Sequence, residues 1–224
     1  MTVAAPAVRL LDAVAAPVGQ ILGAVFCLVG RARGRGRRAL HPTGQVLPGV
    51  VDRNGSSVST GARWLDEAGA DEVVVRRSRA TGLPDALPDV LGLGLRVPLD
   101  DGGHGDLLLA STGLGRFSRY LLRPARRSVP GYTSVFPYRA ARGPVVLAAI
   151  PVGEHPTTFD LAWARPTGPW QRFGRLRLGE PDPATDSALP FEPVRRALPG
   201  LPSYRWAAEL RRPSYAGSRR ARGV

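Results

Sequence analysis

Apolar positions repeat with two different periods along this chain. Between residues 8 and 29, VRLLDAVAAPVGQILGAVFCLV, the residues Leu11, Val14, Val18, Ile21, Leu22, Val25, Leu28 and Val29 form one helical stripe, which Pro17 would kink. Three placements suit such a helix: docked on the protein's own core, lying on a membrane surface ahead of the basic run RARGRGRR, or spanning a bilayer. Asp12, Pro17 and Gln20 interrupt the apolar run and weigh against a span. The basic cluster follows the apolar region, the reverse of a secretory signal.

Further on, the chain reads mainly as strands. After a Ser- and Gly-rich turn, NGSSVSTGA, and a short helix-like piece around Trp64, DEVVVRRS over residues 71–78 reads as a buried strand. Residues 82–97 and 106–113 supply two more, joined by the glycine-rich turn DDGGHG. Residues 132–152 read as a two-stranded hairpin, and TTFDLAWARP and WQRFGRLRLGE alternate as two further strands. RFSRYLLRPARR, residues 116–127, reads as a basic amphipathic segment with a solvated helix face, and PDPATDSAL as a loop. The expected fold class is α+β: a small closed antiparallel barrel of about seven or eight strands with flanking helices. The expected division is residues 1–36 as an amphipathic helix and basic linker, and residues 37–224 as the barrel domain.

Charge changes this picture. All 31 basic residues are arginine against 18 acidic ones, a net +13 over 224 residues. Such a balance attracts nucleic acid, acidic lipid and carboxylate-bearing cofactors alike. Cys27 stands alone, which rules out an internal disulfide or a cysteine metal cluster, and a reducing cytoplasm is the expected location, with membrane association through residues 8–38 open. Three scattered histidines make no metal cluster, which weighs against a metal-dependent hydrolase such as a phosphodiesterase.

Candidate chemistry gathers near the end, in AAELRRPSYAGSRRAR. If residues 207–222 are helical, Arg211, Tyr215 and Arg222 share one stripe at spacings of four and seven. A guanidinium beside a phenol favours the phenolate, the form that ligates ferric iron. The plainer reading is a basic tail. Earlier in the chain, His41 is a candidate general acid and base, or alternatively a capping residue.

In its longer phrase, FEPVRRALPGLPSYRWAAELRRPSYAGSRRARG, this segment resembles the proximal-ligand segment of haem catalases. Further matches follow in order: Arg38-Ala-Leu-His41 before Gly44, Val75-Arg76-Arg77-Ser78, Asp89 with Gly92, and Asp106-Leu107. The resemblance implies haem b with Tyr215 as iron ligand and Arg211 keeping it deprotonated. It implies Arg38, Arg76 and Arg222 on the propionates, His41 facing peroxide and Ser78 fixing its tautomer. Ser111 stands where the family has a distal asparagine, Leu91 replaces an arginine, and Gly217 replaces an aspartate. These departures imply a peroxidase using peroxide and a small organic reductant in preference to an efficient catalase. The resemblance makes nucleic acid an unexpected partner. The competing reading is a catalase-fold protein without haem, a basic module for nucleic acid or acidic membrane.

Overall fold

Most of the bulky apolar residues on the strands fall on one side, and that side faces the barrel interior all the way round. The computed structural model describes residues 43–80, 86–126, 129–153, 156–181, 189 and 191–209. Nine strands occur: β1 (Thr43–Asn54), β2 (Ala68–Arg79), β3 (Leu91–Pro98), β4 (His104–Thr112), β5 (Gly131–Thr133), β6 (Tyr138–Ala140), β7 (Gly143–Val152), β8 (Thr158–Ala164) and β9 (Gln171–Leu178). Every pairing is antiparallel between sequence neighbours, except that β5 also pairs β7 and β9 returns to β1. Eight strands therefore close into an up-and-down barrel, and the short β6 extends the β7 edge beyond β5. Closure leaves the barrel no open edge, which removes the aggregation hazard of a free strand.

The registers fix the shape. From Ala110 the pairing runs through Gly92 and Ser78 to Gly44, whereas from the adjacent Ser111 it runs the other way through Tyr132, Ala149, Leu161 and Gly174 to Arg53. Ser111 is one residue beyond Ala110 and so corresponds to Thr43, and the circuit closes on Arg53, ten residues along β1. That offset over eight strands tilts them by about 40° and gives an interior that side chains fill. The fill is Val51, Val75, Leu93, Leu95, Leu107, Leu109, Tyr132, Leu147, Phe159, Leu161, Trp163 and Leu176, each buried. One end is plugged by the single-turn helix α1 (Arg63–Asp66): its Trp64 packs edge-on to Phe173 at 5.3 Å and donates Nε1–H to Asp71 at 3.0 Å.

Two expectations change. Residues 43–54, where the sequence pattern predicts no strand, form β1, the strand that closes the barrel. Pro48 argues against a central strand, but its carbonyl and missing donor face β9 beyond the last paired residues, Gly49 and Leu178, so no ladder bond is lost. The expected helix face at 116–127 shrinks to a 3-10 turn, Ser118–Tyr120, because Ser118 Oγ takes the Gly115 N–H and Pro124 has no donor to continue a helix. Among the described residues helix is otherwise confined to α1 and residues 205–209, so the described fold is nearly all strand. The helix expected at 8–29 lies outside the described residues, as does that at 207–222 beyond residue 209.

Candidate functional site

Alternation on β2 and β3 decides which side chains can share a site. Val73 and Val75 point inward, so Arg76 and Ser78 point outward, and the register sets Arg76 beside Gly94 and Ser78 beside Gly92 on β3. On β1 the partner of Ser78 is Gly44. A Cβ at Gly44 would lie 2.6 Å from Arg76 Nη2 and 2.9 Å from the Arg77 carbonyl. Glycine at this position lets the guanidinium lie flat on the sheet, where Arg76 is only 6% exposed. Arg76 and Ser78 therefore share the outer face, and a guanidinium fork is the side-chain group whose geometry matches a carboxylate.

Ser111 does not share that face. It lies on the inward side of β4, one step from Ala110, which is the residue in the Ser78 row. Its hydroxyl donates to the Arg123 carbonyl at 2.7 Å and accepts the Leu91 N–H at 2.9 Å. Its only proton is therefore given to the backbone. Arg77 and Tyr132 also point inward at this end of the barrel. Burial pushes the Tyr132 phenol above its ordinary value, with Arg77 opposing.

Outside β3 and β4 a buried charge pair anchors the segment that follows the barrel. Arg96 donates to both oxygens of Asp106 at 2.9 and 3.1 Å, and Asp106 also accepts the Glu192 N–H at 2.8 Å. Phe191 lies under the Arg96 guanidinium, 5.0 Å from ring centre to Cζ, and against Gly94, where a Cβ would come within 3.2 Å of its ring. Arg196 Nη1 donates to His104 Nε2. Burial first, then the Arg96 charge, push the His104 imidazole below its ordinary 6.5, with Asp106 opposing and Arg196 adding. Asp89, matched in the resemblance, is 3% exposed and braces the loop before β3 through paired backbone bonds with Ala125.

A polar depression of about 340 Å³ on the outer face of β1, β8 and β9, which the sequence reading does not single out, is lined by Asp52, Asn54, Asp160, Arg172, Arg175 and Arg177. Its arginines are already engaged: Arg172 and Arg175 pair with Asp160, and Arg177 with Asp52. The signal was the alternation of β9, QRFGRLRL, with Phe173 and Leu176 inward and arginines outward.

Arg38, His41, Arg211, Tyr215 and Arg222 lie outside the described residues. Among the described residues no group of three or more His, Cys, Asp or Glu could hold a metal ion, and no helix is long and apolar enough to cross a membrane. The chain matches no protein-family model, and no curated protein matches it significantly.

Proposed function

We propose that this protein binds haem b against the outer barrel face carrying Arg76 and Ser78 and uses it to reduce peroxides. The observation that carries the reading is the guanidinium of Arg76, buried on the outer face of a closed eight-stranded barrel with Ser78 two residues on. Arg76 and Ser78 fit a carboxylate-bearing planar group, whereas Ser111, on the opposite face with its proton engaged, does not contribute.

Ferric haem, when bound, supplies the iron at which the peroxide bond is cleaved. On this reading Arg76, with Arg38 and Arg222, neutralises the propionates. Tyr215 is the iron ligand, and Arg211 holds its phenol deprotonated. His41 moves a proton from one peroxide oxygen to the other, and Ser78 fixes the tautomer that can do so. Overall a hydroperoxide takes two electrons and two protons from a small organic donor and leaves as an alcohol and water. Helices over residues 8–29 and 207–222 flank the barrel in this proposal.

Haemin titration of the purified full chain tests it. Saturable binding at one haem per chain with a shifted Soret band is expected, and Arg76→Leu should weaken it about tenfold through loss of one charge-assisted contact. A chain that takes up no haemin would leave the haem-free binding module as the better reading.

A further inference from the structure

Three large apolar side chains stand in water on one short segment. Phe117 is 77% exposed, Leu121 65% and Leu122 52%. Leu87, at 47%, adds a fourth from the neighbouring loop, which is tied to the segment by the paired bonds between Asp89 and Ala125. Isolated apolar residues at a surface are ordinary, but a contiguous set on one rim marks a contact surface.

This exposure is built in, since the segment is firmly bonded to the barrel. Arg119 is 2% exposed and donates to the carbonyls of Gly115, Arg165 and Gly168, with its guanidinium 4.2 Å from the Trp170 ring centre. Tyr120 Oη donates to the Pro166 carbonyl at 2.6 Å, and Thr133 Oγ1 to the Arg119 carbonyl at 2.6 Å. The Arg123 N–H goes to the Ser111 carbonyl at 2.8 Å. The side-chain anchors draw Arg119 and Tyr120 inward, which leaves Phe117 before them and Leu121 and Leu122 after them pointing out.

Charge identifies the partner. From Leu107 to Gly153 the chain has no aspartate or glutamate and carries seven arginines. Three of these, Arg116, Arg123 and Arg126, are exposed around the apolar tip, and none has a carboxylate partner among the described residues. From this combination we infer that the rim segment 116–126 docks on an anionic lipid bilayer. Phe117, Leu121 and Leu122 would enter the interface between headgroups and acyl chains, with the three arginines on the lipid phosphates. A nucleic-acid backbone would satisfy the arginines but leave the leucines in water. The inference uses neither Arg76 nor Ser78 and does not depend on the haem reading.

A site-specific probe on the full chain tests this. Leu121→Cys in a Cys27→Ser background carries an environment-sensitive fluorophore, mixed with vesicles of phosphatidylcholine containing roughly one-quarter phosphatidylserine, or of phosphatidylcholine alone. Emission should shift to the blue on the anionic vesicles and much less on the neutral ones. Phe117→Ser with Leu121→Ser and Leu122→Ser should lower partitioning at least about tenfold without moving the thermal midpoint, because all three side chains are exposed. Arg123→Glu with Arg126→Glu should remove the preference for anionic lipid. Overturning results would be an unshifted probe while the chain still sediments with vesicles, no vesicle binding at all, or a shift with single-stranded DNA and none with vesicles.

Discussion

Ser78 and Ser111 stand on opposite faces of one sheet. The register row through Ser78 passes Gly92 and reaches Ala110, so Ser111, one residue on, points into the barrel while Ser78 points out of it. The two hydroxyls expected at one distal site, Ser78 fixing the histidine tautomer and Ser111 facing the peroxide, are therefore separated by the thickness of the sheet, and only Ser78 shares a face with Arg76.

Ser111→Ala should accordingly act as a stability variant. It strands a buried N–H at Leu91 and a carbonyl at Arg123, which costs roughly 1–3 kcal/mol. Urea unfolding should show the loss as a lower midpoint at unchanged slope.

Asp106→Ala should be more severe. The carboxylate is fully buried and holds both Arg96 and the Glu192 N–H, and breaking such a pair costs roughly 3–5 kcal/mol. Limited proteolysis should then cut in the 191–198 segment, which intact protein protects.

The Asp66 carboxylate makes the plugged end of the barrel sensitive to acid. Partial burial raises its pKa, but hydrogen bonds from the Thr60 N–H and hydroxyl, the Gly61 N–H and the Ser59 hydroxyl outweigh burial, and the net direction is below the ordinary 3.8. A depressed folded value gives stability that is present above the unfolded value and lost as pH falls through the folded one. Asp66→Asn should melt lower than the natural protein at neutral pH, and the gap should narrow in melts taken progressively below pH ~4.

The barrel was legible because period-two alternation needs nothing beyond local sequence: Val73 and Val75, Leu93 and Leu95, and Leu107 and Leu109 each mark an inward face. The strand at 43–54 was hidden by Pro48 and Gly49, whose acceptability depends on where β9 stops, a fact of tertiary pairing. The relation of Ser111 to Ser78 depends on parity between strands. Matching short phrases one at a time ignores which side of the sheet each falls on, and only the register relates Ser111 to Ser78. Likewise the exposed Phe117 and Leu121 could not be separated from an amphipathic helix until Arg119 was seen anchored between them.

The most direct measurement is the ferric absorption spectrum of the haemin-loaded full chain, compared with that of Tyr215→Phe. A haem held against the Arg76 face and ligated by a phenolate predicts a high-spin spectrum that the substitution abolishes or strongly alters. An identical spectrum in both proteins, or no haem spectrum in either, would contradict the account.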